Sequence, residues 1–153
     1  MNLFAVIRIR GSVNVNPRIK RTLELIRAFK VNHLVLVKES EKGMLQKAQG
    51  FLTWGEIDAK TLGMLLEKRG RLPGNKRIGN EFLKEKSAKS FEELATKIIE
   101  GKTSLQELGL KPVFRLSPPK KGYERAGIKK AYSIGGALGY RASDMNALIK
   151  KMT

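Results

Sequence analysis

The chain has no cysteine and a single histidine, His33, among 153 residues. Disulfides, thiolate nucleophiles and cysteine metal sites are therefore excluded, and one imidazole is too few for a zinc site. Acidic residues are also scarce, with 14 Asp and Glu against 31 Lys and Arg, a formal charge of +17 and a pI near 10.3. Such self-repulsion is best tolerated when a partner brings the negative charge, and nucleic acid is the first candidate. Long apolar runs are missing too. Arg8 interrupts LFAVIRIRG well short of a signal-peptide core, and no later window approaches a membrane span. The expectation is a soluble cytoplasmic protein with no membrane partner. No internal repeat or low-complexity tract is present.

With 41% hydrophobic residues the chain can build a real core, enough for one ordinary domain plus a modest elaboration. Leu3, Ala5, Ile7 and Ile9 alternate with Phe4, Val6, Arg8 and Arg10, predicting a first strand with one apolar face and one that turns basic. Asn16 and Pro17 read as N-cap and first helical position, followed by Ile19, Leu23, Ile26 and Phe29 at helical spacing. His33 to Val37 predicts a second strand beside the first, Glu41 to Gln49 a short helix, and Phe51 to Ile57 a third strand. Asp58 then starts a helix carrying Leu62, Leu65 and Leu66 on one face and ending at Gly70. The fold class expected is α/β (α+β), a small three-stranded sheet with helices on one face, in the order strand, helix, strand, helix, strand.

Charge is segregated along the rest. From Lys68 to Gly79 the basic residues Lys68, Arg69, Arg71, Lys76 and Arg77 have no acidic neighbour and are interleaved with Gly70, Pro73, Gly74 and Gly79. That composition suits a polyanion, since glycines allow close backbone approach and arginines reach around it. Residues 80–110 carry five Lys and six Glu, with Ser90/Glu93 and Ser104/Glu107 as capping boxes for two helices. From Lys111 to Arg141 the charge returns, with Lys111, Arg115, Lys120, Lys121, Arg125, Lys129, Lys130 and Arg141 against Glu124 alone. Its prolines and glycines predict an extended basic arm with brief strands near Val113 to Leu116 and Tyr132 to Ile134. Ser143 then caps a closing helix with Met145, Leu148, Ile149 and Met152 inward. The organisation expected is thus an α/β core over 1–57, a helix and basic loop over 58–79, a small helical subdomain over 80–110, and the arm and closing helix over 111–153.

No constellation for catalysis emerges. His33 sits in a strand pattern without a nucleophile at any recognisable spacing, and Asp58 near Glu56 is explained as a cap. Gly70 to Lys76 lacks the Walker spacing, and the Gly135-Gly136-Ala137-Leu138-Gly139 cluster lacks the context of a dinucleotide site. Neither a cofactor nor a small-molecule substrate is expected. Trp54 is expected to pack across its strand, while Tyr123, Tyr132 and Tyr140 are candidates for stacking on bases. An RNA-processing factor and a DNA-compacting architectural protein stay open as alternatives.

The blocks FAVIRIRG, RTLELIRAFKVNH, GFLTWGEIDAKTL with KRGRLPG, and FRLSPPKKGYERAGIK stand in order and spacing along nearly the whole chain. In these the sequence resembles the large-subunit ribosomal protein thirty family, whose eukaryotic member is numbered seven. LTWGEI and LSPPKKGYE are its most specific blocks. The near-immediate start of the first strand after Met1 resembles the archaeal type. The resemblance implies a structural, non-enzymatic component of the large ribosomal subunit. It would bind large-subunit rRNA near the 5S particle and touch neighbouring ribosomal proteins. It further implies RNA contacts at Arg8, Arg10, Gly11, Arg18, Lys68, Arg69, Arg71, Lys76, Arg115, Lys120, Lys121 and Tyr123. The basic loop and arm add Arg77, Arg125, Lys129, Lys130 and Arg141 to the candidate set.

Overall fold

The computed structural model describes residues 3–85 and 88–153. Met1 and Asn2, at the head of the expected core, and Lys86 and Ser87, inside the expected helical subdomain, lie outside the described residues.

The central strand is β1 (Leu3–Arg8). It pairs antiparallel with β2 (His33–Lys38), Leu3 facing Lys38 and Ile7 facing Leu34, and with β3 (Leu52–Glu56), Phe4 facing Glu56 and Arg8 facing Leu52. Two helices connect these strands, α1 (Pro17–Leu25) and α2 (Lys42–Lys47). The Asn16 side chain accepts the Arg18 amide at 2.9 Å and Pro17 opens α1, as its sequence requires. The helix stops before the apolar spacing does. Arg27 adopts a φ of 62°, and Phe29 falls beyond the last turn, 51% exposed.

The sheet is wider than expected. Among the described residues it has five strands, in the order β4-β2-β1-β3-β5, not three. The additions are β4 (Val113–Arg115), antiparallel to β2, and β5 (Gly139–Tyr140), parallel to β3. Both come from the stretch expected to be an extended basic arm with brief strands, where proline and glycine rule out a long helix but leave short edge strands possible, and β4 falls where a strand near Val113 to Leu116 was expected. The strand expected at Tyr132 to Ile134 is a single helical turn closed by Gly135, and the true strand lies beyond it.

Helices also cover both faces rather than one. Phe4 and Val6 of β1 pack with Leu23 and Ile26 beside α1 and with Leu45 of α2, whereas Ala5 and Ile7 face the opposite side. There they meet α3 (Ala59–Arg69), α5 (Phe91–Ile99) and α6 (Asp144–Met152). A strand apolar at both alternations is a strand buried on both sides, each buried Leu, Ile or Val contributing about 1.5–3 kcal/mol. The short α4 (Asn80–Glu85) and residues 88–110 feed side chains into that second core, so they share one apolar cluster with the sheet.

The caps depart from expectation in four places. Asp58 stands at the N-cap of α3 but its carboxylate makes no cap bond; instead its amide donates to Asn146 Oδ1 at 3.0 Å, clipping α3 to α6. At α5, Ser90 Oγ accepts the Glu93 amide at 3.2 Å while Glu93 reaches one residue further back, to the Lys89 amide at 2.9 Å. Ser104 and Glu107 do make reciprocal bonds of 2.9 and 3.2 Å, yet the segment they close is a turn and not a helix. Ser143 precedes α6 without a side-chain cap bond, although Met145, Leu148, Ile149 and Met152 are all buried as expected. Among the described residues no helix is long and apolar enough to cross a membrane.

Candidate nucleic-acid interface

Register decides where the cations go. Because Arg8 faces Leu52, Ile7 faces Leu34 and His33 faces Arg115, one end of the sheet collects the end of β1, the starts of β2 and β3, and the end of β4. α3 and α6 leave the opposite end and run back toward this one, finishing side by side. Arg69, in the last turn of α3, donates to Ser117 Oγ at 2.7 Å and to the carbonyl of Thr153 at 3.2 Å. The amides of Ser117 and Lys120 bond the carbonyls of Met152 and Lys151, each at 3.0 Å, and the Lys111 amide bonds the Arg71 carbonyl at 2.9 Å.

Two helix C-termini, the basic loop and the root of the arm therefore meet at one pole. The last turns there carry Lys68 and Arg69 on α3 and Lys150 and Lys151 on α6, where cations complement the partial negative charge of the helix ends. Arg10 lies beside them on the β1 exit, donating to the Gly50 carbonyl at 3.1 Å with its guanidinium 4.9 Å over the Phe51 ring. His33 registers the concentration of charge. Its pKa is lowered first by burial and then by the repulsion of Arg115, Lys30 and Arg8.

The loop itself is ordered by its own backbone. Arg71 and Arg77 form a bridge, the Leu72 amide bonds the Lys76 carbonyl at 3.0 Å, and Pro73–Asn75 make the tight turn between. Gly70 is required at its root, because a Cβ there would stand 2.2 Å from Ile78 Cδ1 and 2.4 Å from the Leu66 carbonyl oxygen. Lys76 and Arg77 are left exposed at the tip.

The arm is ordered by its own contacts as well. Beyond the exposed Lys120 and Lys121 it folds back through Gly122, whose amide bonds the Pro119 carbonyl at 3.0 Å, and Leu138, whose amide bonds the Lys130 carbonyl at 3.1 Å. Ala137 and Leu138 pack on Ile9 with Tyr123 against them. Arg125, Lys129 and Lys130 project from this fold into solvent, as do Gly11 in the loop after β1 and Arg18 in the first turn of α1.

Two of the seventeen candidate residues lie inside. Arg8 is 3% exposed and donates to the carbonyls of Arg10, Ala28 and Phe29 and to Ser12 Oγ, all at 2.8–2.9 Å. It ties the loop after α1 to the loop after β1. Arg141, also 3% exposed, donates to Thr53 Oγ1 at 2.8 Å, to the Ala137 carbonyl at 2.9 Å and to both oxygens of Glu124 at 2.7 and 3.3 Å. Its guanidinium lies 4.5 Å over the Tyr132 ring. Burial pushes the Glu124 carboxyl up, but the Arg141 hydrogen bonds and charge outweigh it, and the net direction is down.

The tyrosines are similarly engaged. Tyr123 donates to Asn32 Oδ1 at 3.2 Å, Tyr132 to Asp144 Oδ2 at 2.6 Å, and Tyr140 to Glu56 Oε1. Trp54 is buried under α1 and α2, as a strand aromatic should be. Sequence reasoning overlooked Lys30, Lys150 and Lys151 at the basic pole, and counted Lys111 among the arm's charges without placing it in the contact set. The only signal for Lys150 and Lys151 was a lysine pair ending an amphipathic helix, and nothing in the sequence told where that helix points. Among the described residues no group of three or more His, Asp or Glu side chains could hold a metal ion.

Residues 4–50 match the family model described as ribosomal protein L30p/L7e. The large ribosomal subunit protein uL30 of Methanococcus maripaludis (strain C5 / ATCC BAA-1333) is 51% identical over 151 residues, covering 97% of this chain and 98% of its own. The protein of the same name from Nanoarchaeum equitans (strain Kin4-M) is 52% identical over 151 residues, 97% of each chain. That from Thermofilum pendens (strain Hrk 5) is 49% identical over 156 residues, 99% of each. With about half of all positions shared from end to end, and with the family's strand and loop blocks folded into this basic pole, the chain belongs to the uL30 family of large ribosomal subunit proteins.

Proposed function

We infer that this protein is a structural component of the large ribosomal subunit, cytoplasmic and without catalytic activity, that binds and organises rRNA during translation. The observation that carries the interface is the convergence of the α3 and α6 C-termini, the basic loop and the arm root at one end of the sheet. Cations gathered on one pole can neutralise phosphates from RNA helices that approach each other. Recognition of this kind works through shape and backbone, because the deep groove of A-form RNA hides its base edges.

The contacting set we propose is Arg10, Gly11, Arg18, Lys68, Arg69, Arg71, Lys76, Arg77, Arg115, Lys120, Lys121, Arg125, Lys129 and Lys130, with Lys30, Lys111, Lys150 and Lys151 added. Arg8 and Arg141 hold the loops that present these residues. We place the site near the 5S particle, on the family resemblance, with neighbouring ribosomal proteins on the less basic faces. Family membership favours this reading over an RNA-processing factor or a DNA-compacting protein.

Filter binding of a large-subunit rRNA fragment across a salt series tests the interface. Lys120→Ala, Lys121→Ala and Arg125→Ala together remove up to three phosphate contacts, and the slope of log K against log salt should fall by about 2–3. An unchanged slope would take the arm out of the interface.

A further inference from the structure

β4 covers only half of the edge it joins. Its partners on β2 are His33, Leu34 and Val35, so among the described residues no strand lies outside Leu36–Lys38. The reason is in the register. Continuing it brings Pro112 opposite Leu36, and proline has no N–H to give. The Leu116 amide bonds the Asn32 carbonyl at 3.0 Å, and alternation along an antiparallel ladder then turns the backbone groups of Leu34, Leu36 and Lys38 outward. Leu34 is met by Phe114; the outward groups of the strand's second half have no ladder to join.

A groove of about 510 Å³ follows this open edge. One wall comes from the end of α1, with Leu25 and Ile26, and belongs to one face of the sheet; the other comes from α5 and the turn after it, with Ile98 and Leu105, and belongs to the opposite face. A chain lying between them would meet apolar side chains at both of its alternations. Leu25, at the lip, is 58% exposed. The charges along the groove are Arg27 and Lys38 against Glu41 and Glu107, a formal sum of zero on a chain of +17.

We propose that this groove is a strand-addition site that takes an extended, apolar polypeptide segment of another large-subunit protein, paired backbone to backbone with Leu36–Lys38. RNA is the wrong occupant: it cannot continue a β ladder, and a neutral groove offers its phosphates nothing. A strand supplies the outward groups with partners and buries Leu25, while Glu41 and Glu107 at the rim suit lysines or arginines flanking the apolar run. The proposal rests on the ribosomal reading for the identity of the partner.

The test compares the free chain with the chain assembled into large subunits. Hydrogen exchange followed by mass spectrometry should show peptides covering Val35–Glu39 exchanging at least tenfold more slowly in the subunit. A benzophenone attached through Leu25→Cys, unique in a cysteine-free protein, should crosslink to one segment of one neighbouring protein. Unchanged exchange at Val35–Glu39, or crosslinks to rRNA alone, would overturn this proposal and leave the rRNA-binding reading intact. A chain that fails to enter the subunit would overturn both.

Discussion

Replacing Arg141 with methionine should destabilise the protein by about 3 kcal/mol. The side chain is 3% exposed, and its loss strips a hydrogen-bond partner from Thr53 Oγ1, the Ala137 carbonyl and Glu124. Removing one member of a buried ion pair costs about 3–5 kcal/mol, and an orphaned buried acceptor about 1–3 kcal/mol. Glu124 is 28% exposed and can recover water, which places the sum at the lower end of that range. For a chain of this size about 3 kcal/mol corresponds to a fall in melting temperature of about 6–12 °C, read by circular dichroism. The acid limb adds a second readout. Because the folded Glu124 carboxyl is held below its ordinary value, its contribution is complete above the unfolded value, about 4.3, and is lost as pH falls through the folded one. Arg141→Met should erase that part of the acid sensitivity, and adding Glu124→Met should return some of the lost stability. A variant within about 1 kcal/mol of the parent, with its acid limb unchanged, would refute the idea that this pair anchors the arm.

Gly70→Ala should cost about 1–3 kcal/mol by urea titration, since its methyl group would drive Ile78 and the loop root off the Leu66 carbonyl. The displaced loop should also weaken rRNA binding. Ser90→Ala should cost about 1 kcal/mol, but Asp58→Ala no more than about 0.5 kcal/mol, because only the serine makes its cap bond. An equal loss at both positions would mean that the capping geometry does not control these helices.

The three-strand nucleus was legible because β1 and β2 are nearly continuous apolar runs, β3 is rich in strand formers around Trp54, and α1 opens with Asn16 and Pro17. What misled was reading β1 as having one core face. Phe4 and Val6 are as apolar as Ala5 and Ile7, and that equality announced a second layer which α3, α5 and α6 supply. Of the two edge strands, β4 falls where Val113 to Leu116 had suggested one, but β5 could not be found locally. Gly139–Tyr140 becomes a strand only because Thr53 and Trp54 of β3 lie beside it, a contact between residues far apart in the chain. The basic clusters were visible as composition, but exposure was not. Arg8 and Arg141 read like their neighbours and differ only in being surrounded by carbonyls and a carboxylate that the fold delivers from elsewhere.

Because both outer strands follow the three inner ones by more than fifty residues, the sheet has to wait for them. When synthesis reaches Leu110 the three inner strands are complete, yet β2 and β3 still lack the neighbours that β4 and β5 will provide. At about 5–20 residues per second the stretch through Tyr140 takes a few seconds to emerge, an interval in which two unprotected sheet margins can pair with the wrong chain. Newly made copies are thus most vulnerable to aggregation before Val113 to Tyr140 has emerged, and truncation ahead of those two strands would yield a sticky product rather than a merely shortened one.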